Sequence, residues 1–146
     1  MPILYQDQIK RDDLRAHPDR IYLFGDNVAR QGRGGQAREM RGEPNALGIA
    51  TKWCPGNAPK DFFYDHEKYQ HSGDLRARVA VAFDLFPVLE ALEAGRTVVI
   101  PSAGIGTGLA RLPEKAPPLY AFLDTFLQGL AAKYGVIQDQ QNTAKP

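Results

Sequence analysis

Thr97-Val-Val-Ile-Pro-Ser-Ala-Gly-Ile-Gly-Thr-Gly-Leu-Ala110 joins a short β-branched run to a loop with glycine at alternate positions 104, 106 and 108. An uninterrupted apolar strand of this kind belongs to a sheet covered on both faces, as in α/β proteins. Upstream, Ile21-Tyr-Leu-Phe24 has the same character and breaks at Gly25-Asp26-Asn27, and Ala46-Leu-Gly-Ile-Ala50 is a third run. Pro2-Ile-Leu-Tyr5 and Gly135-Val-Ile-Gln138 are weaker strand candidates. Leu75, Val79, Ala82, Phe83, Phe86 and Leu89 recur at three- and four-residue steps behind the capping candidates Ser72 and Asp74, which predicts an amphipathic helix. Pro87 lies inside that pattern and predicts a kink or an early end. A last helix starts at Pro117-Pro118, presents Leu119, Phe122, Leu123, Phe126, Leu127 and Leu130 as its apolar stripe, and closes at Gly135. Strands alternating with helices predict an α/β layered fold with a largely parallel sheet.

With 146 residues the chain fits one domain, read as 1–137 with a polar tail over 138–146. Hydrophobic residues at 43% and charged residues at 24% exclude a disordered or fibrous protein. Cys54 has no partner for a disulfide, and no apolar stretch suits a signal peptide or a bilayer, so the sequence reads as cytoplasmic. A net charge of +1 gives no strong global attraction to polyanions. Charge is instead local: Arg30, Arg33, Arg38 and Arg41 form a basic island in the most glycine-rich part of the chain, read either as facing a ligand mouth or polyanion, or as a solvated helix face.

Two loops leave predicted strand ends, where ligands of open α/β sheets bind. One runs from Gly25 to Ala37 and leads into a helix predicted to start near Gly35, with Gly32, Gly34, Gly35 and Gln36 at its turn. The other holds Ser102, Gly104, Ile105, Gly106, Thr107, Gly108 and Leu109. Glycine lets backbone approach a ligand, and free amides favour phosphate. GxGG alone is a weak signal and by itself reads first as a flexible turn; two such loops together point to a phosphate-bearing ligand. A Rossmann-like nucleotide-binding protein is one such reading.

The same segments resemble the macrodomains, and among them the branch of terminal ADP-ribose protein glycohydrolases and antitoxin macrodomains that reverse DNA ADP-ribosylation. Gly32-Arg-Gly-Gly-Gln-Ala37 resembles the branch's glycine-rich helix opening, Gly48-Ile-Ala-Thr-Lys52 its strand ending in Thr-Lys, and Val99-Ile-Pro-Ser-Ala-Gly-Ile-Gly-Thr-Gly-Leu109 its strand, proline and G(x)GxGL loop, over roughly residues 20–130. The resemblance implies a three-layer α/β/α fold with a mixed, largely parallel sheet, and the two loops gripping the diphosphate and distal ribose of ADP-ribose. It implies hydrolysis of ADP-ribosyl linkages on protein or nucleic acid, or binding without turnover. It places Thr51 in the site and Lys52 beside the anomeric carbon; without it, Lys52 reads as a solvated lysine at a strand end. The acid that follows Gly-Leu in that branch is replaced by Ala110 and Arg111, so Asp26 or Asn27 would have to take its role. The Gly-Asp at the end of the family's first strand has no match near Pro2–Tyr5, although Asp7 follows.

Trp53, Phe62, Phe63 and Tyr64 offer rings that either stack on a base or pack in the core. Asp61, Asp65, His66, Glu67 and His71 have no metal-ligand spacing, so no metal and no cofactor is expected. The expected partner is ADP-ribose or a macromolecule carrying it, with no membrane, and the expected state is a monomer.

Overall fold

The computed structural model describes residues 2–64 and 74–137. Ser72, the candidate ligands Asp65, His66, Glu67 and His71, Gln138 and the tail 138–146 lie outside the described residues, as does the Asp74 side chain.

Five strands make one sheet: β1 (Ile3–Gln6), β2 (Ile21–Asn27), β3 (Ala46–Lys52), β4 (Val98–Pro101) and β5 (Val136–Ile137). Their order is β3-β2-β4-β1-β5 and every pairing is parallel, with one isolated antiparallel bridge between Lys52 and Phe62. Successive side chains point to opposite faces of a strand, and the core divides accordingly. Ile3, Ile21, Leu23, Val98 and Ile100 pack with α3 (Asp74–Glu93) and α5 (Pro117–Tyr134) on one face. Leu4, Tyr22, Phe24 and Val99 pack with Leu14 of α1 (Arg11–Ala16) and with Ala37 and Met40 of α2 (Ala37–Met40) on the other. This is a three-layer α/β/α fold. A four-residue α4 (Leu112–Lys115) precedes α5, whose end is closed by Gly135 at φ +87°. No helix among the described residues is long and apolar enough to cross a membrane.

Three expectations need correction. α3 does not end early at Pro87 but continues to Glu93. Proline there cannot donate to the Phe83 carbonyl, but the turns beyond it bury Val88, Ala91 and Leu92 in the core, which holds the helix together across the missing bond. The face of α3 that meets the core carries Ala77, Val81, Leu85, Val88 and Leu92, whereas Leu75, Val79, Phe83 and Phe86 of the predicted stripe are exposed. The helix is apolar on two faces, and periodicity alone does not say which one the sheet covers. Third, β2 runs beyond its apolar run through Gly25-Asp26-Asn27, alongside β3, which ends at Thr51-Lys52 as the resemblance implied. Asp26 pairs with Ala50 and Asn27 with Lys52, so Thr51 is an unmatched residue at a register shift. Such bulges re-aim side chains at strand ends, here at the face where the loops gather.

Candidate functional site

The carboxyl ends of β1, β2, β3 and β4 open into a cleft of about 550 Å³, within the range of small-molecule sites. The first glycine loop and α2 form one wall, the 103–110 loop the opposite one, and Asp7, Gln8, Ile9 and Lys10 after β1 one end. The two walls nearly meet: a Cβ on Gly34 would lie 2.8 Å from Leu109 Cδ1. Among the described residues, no hydrogen bond engages the backbone amides of Gly34, Gly35 and Gln36 on one wall, nor those of Gly106, Thr107, Gly108 and Leu109 on the other. The second loop keeps its shape through carbonyls instead. Gly106 O accepts from Leu112 N at 2.9 Å and Gly108 O from Arg111 N at 3.0 Å, which leaves the N–H groups of the loop unspent. Gln36 adds a buried side-chain oxygen without a partner.

The floor is an ionic network centred on Asp26, which is 6% exposed. Its carboxylate accepts both terminal nitrogens of Arg41, at 2.5 and 3.2 Å, Arg30 Nη1 at 3.5 Å and its neighbour's amide, Asn27 N, at 2.8 Å. Arg41 also donates from Nε to Gly32 O at 2.7 Å and from Nη2 to Gln31 O at 3.2 Å, so one guanidinium ties the glycine loop to the end of β2. Arg30, with φ +56°, pairs with Asp84 of α3, whose other oxygen accepts Ala50 N at 2.8 Å. The Asn27 side chain donates to Gln31 O at 2.7 Å and accepts Gln31 N at 3.3 Å, closing the turn 27–31 on itself. Thr51 Oγ1 donates to Asp26 O at 2.9 Å, locking the register shift.

Half of the basic island is therefore internal wiring. Arg30 and Arg41 neutralise buried carboxylates; Arg38 lines the cleft and Arg33 is exposed outside it.

Lys52 is 6% exposed at the end of β3 and lines the cleft. Its Nζ donates to Gly56 O at 2.7 Å and Pro55 O at 3.4 Å and sits 4.4 Å from the centroid of the Phe62 ring. Lys115 Nζ lies 4.5 Å from the same centroid. Burial pushes the Lys52 ammonium below the ordinary lysine range, opposed by the negative charges of Asp61 and, less, Cys54.

Of the residues singled out in the sequence, Asp26, Asn27, Gly32, Gly34, Gly35, Gln36, Thr51, Lys52, Gly104, Gly106, Thr107, Gly108 and Leu109 all line this one cleft. Ser102 and Ile105 do not: Ser102 is exposed away from it and donates its amide to Gln6 O at 3.0 Å, and Ile105 is buried among α3 and α5 side chains. At Gly106, φ is +84° and a Cβ would lie 3.0 Å from Leu112 Cδ2 and 3.1 Å from Thr51 Cγ2, so the packing beneath the loop requires glycine here. Gly108 is the open position, with nothing within 4 Å of a Cβ. Phe62, Phe63 and Tyr64 are buried in the core, Trp53 packs edge-on against Phe63 at 4.8 Å, and no aromatic ring lines the cleft among the described residues.

The profile of one protein family, described as a family of unknown function, DUF7831, matches residues 4–126 and so takes in the whole cleft. The chain belongs to the DUF7831 family. No curated protein and no solved structure matches it. In this DUF7831 chain the sequence reading missed Asp84, Arg41 as a clamp, and the 7–10 turn. Asp84 had a signal: it is a lone acid between Val81, Leu85 and Val88 on the core-facing side of α3, and a buried charge requires a partner. Arg41 had none, because its role depends on a fold that brings Gly32 and Asp26 under one side chain.

Proposed function

We propose that the cleft binds ADP-ribose, alone or attached to protein or nucleic acid, with the diphosphate between the Gly34–Gln36 and Gly106–Leu109 segments. The observation that carries this is the pair of backbone segments lining one cleft whose amides have no protein partner among the described residues, since free N–H groups at a cleft wall suit phosphate oxygens. The macrodomain resemblance of the same two segments supplies the ligand. Calorimetry and thermal shift with ADP-ribose test it. Wild type gains stability with ligand, and Gly108→Val, which the backbone accommodates, weakens binding at least about tenfold. No heat and no shift at about millimolar ADP-ribose overturns the proposal.

Hydrolysis of the ADP-ribosyl bond is a second reading, favoured by one observation: Lys52 in the cleft releases its proton more readily than an ordinary lysine. Against a fast reaction stands Asp26, the carboxylate that would replace the absent acid, which is held by two arginines. Single-turnover release of ADP-ribose by wild type and Lys52→Ala decides between them. Wild type releases product slowly and Lys52→Ala does not, while binding stays within about tenfold; a wild type inert on protein, DNA and RNA substrates leaves the binding module.

A further inference from the structure

The outer face of α3 is apolar, and among the described residues nothing covers it. Leu75, Val79, Phe83 and Phe86 are 75, 62, 79 and 62% exposed, while Ala77, Val81, Leu85, Val88 and Leu92 of the same helix fill the core. Scattered exposed apolar residues are ordinary; a contiguous stripe on one helix marks an interface. Leu75, Val79, Ala82 and Phe86 follow one another at steps of 4, 3 and 4, the spacing of a coiled-coil seam, with Phe83 on its flank. Beside the stripe lies a groove walled by Val28, Trp53, Leu75, Val79 and Phe83, where Trp53 Nε1 is buried without a partner.

Charge says what covers this face. Arg76 and Glu90, seven residues to either side of Phe83, are both exposed, and neither side chain makes a hydrogen bond or ion pair among the described residues. They occupy the same heptad position, flanking the seam, about 21 Å apart along the helix. If a second copy of α3 lies antiparallel across a two-fold axis near Phe83, Arg76 of each copy meets Glu90 of the other. A parallel pair in register would leave Arg76 of one copy about 21 Å along the axis from Glu90 of the other, without this contact. One helix thus carries a self-complementary apolar seam and the charges that fix its direction, as an isologous two-fold interface requires. Each phenylalanine brings about 150–250 Å² to such a contact, and with Leu75, Val79 and the Val28–Trp53 groove the pair approaches the roughly 800 Å² per partner of a standard interface.

We infer that the chain forms an antiparallel homodimer through the outer face of α3, in place of the monomer expected from sequence and independently of what the cleft binds. Sedimentation equilibrium of the full chain, up to about 300 µM to cover affinities in the micromolar range, is the test. The wild-type mass rises to that of two chains. Phe83→Glu, at a side chain that is 79% exposed, leaves a folded monomer with an unchanged circular dichroism spectrum. Arg76→Glu and Glu90→Arg each weaken dimerisation about tenfold, since each disrupts two symmetry-related pairs, and the double variant restores it. A wild type that stays monomeric over the whole range overturns the inference, and leaves the face to a different partner. A dimer that survives Phe83→Glu, or a double variant no tighter than either single one, overturns it equally.

Discussion

Asp26 shows how a residue that looks reactive in sequence becomes structural in the fold. Its carboxylate is buried, and three charge-assisted contacts from Arg41 and Arg30 hold it there. Removing one partner of a buried pair costs more than the pair contributes, because the remaining charge is left without water or counter-ion. Arg41→Ala therefore lowers unfolding free energy by about 2–3 kcal/mol, Arg30 compensating in part, and urea denaturation measures it. Lys52 poses the opposite problem. In the unfolded chain it holds its proton to about pH 10.4; in the native protein burial releases that proton earlier. Between the lowered native pKa and the unfolded one, the unfolded state binds more protons, so stability contributed by this site rises with pH across that window and is flat below it. Urea titrations from about pH 7 to 10 should show this rise in wild type and not in Lys52→Met, and equal slopes would refute it. Asp61→Asn removes the largest influence that favours the ammonium, so it lowers the Lys52 pKa further and widens the window.

At the scale of elements, the strands were legible because parallel strands buried on both faces are continuous apolar runs, and each of the five falls within a residue or two of its run until the polar ends of β2 and β3. The end of β2 was not legible. Asp26 and Asn27 read as loop residues, and pairing with Ala50 and Lys52 of β3 keeps them extended. The short helices α1 and α4 were missed for a related reason: each has a single buried residue, Leu14 or Leu112, so neither shows a period. α3 shows a period on both faces, and the more regular stripe was the wrong one for the core. The glycines of the second loop looked alike in sequence but differ in what surrounds them. Gly106 has φ +84° and Leu112 and Thr51 pressed against the place of a Cβ, whereas Gly108 has open space. Gly106→Ala should cost about 1–3 kcal/mol and lower the melting temperature, while Gly108→Ala stays within about 0.5 kcal/mol. Thermal melts of the two variants check the contrast, and equal losses would mean that the loop is not anchored through Leu112.

For the whole molecule, three layers and an all-parallel sheet place all five carboxyl strand ends on one side, and at four of them loops from distant parts of the chain meet. That side carries four arginines of the island, yet two of them are committed to Asp26 and Asp84. With a net charge of +1, little positive field is left to attract a polyanion. If the cleft binds an ADP-ribosylated oligonucleotide, recognition rests on the ADP-ribose, with Arg33 and Arg38 as the island's remaining phosphate contacts. Two contacts on duplex DNA give a slope of about −1.8 in log affinity against log salt, or roughly a tenfold loss from 50 to 200 mM; four would give more than a hundredfold. Binding isotherms at those two salt concentrations, with modified and unmodified duplex side by side, separate the cases. The expected result is a loss near tenfold for the modified duplex, and Arg33→Ala with Arg38→Ala together should flatten most of it. A hundredfold loss would mean that Arg30 and Arg41 leave their carboxylates to bind phosphate, and the ionic floor of the cleft would then be a switch that opens when nucleic acid arrives.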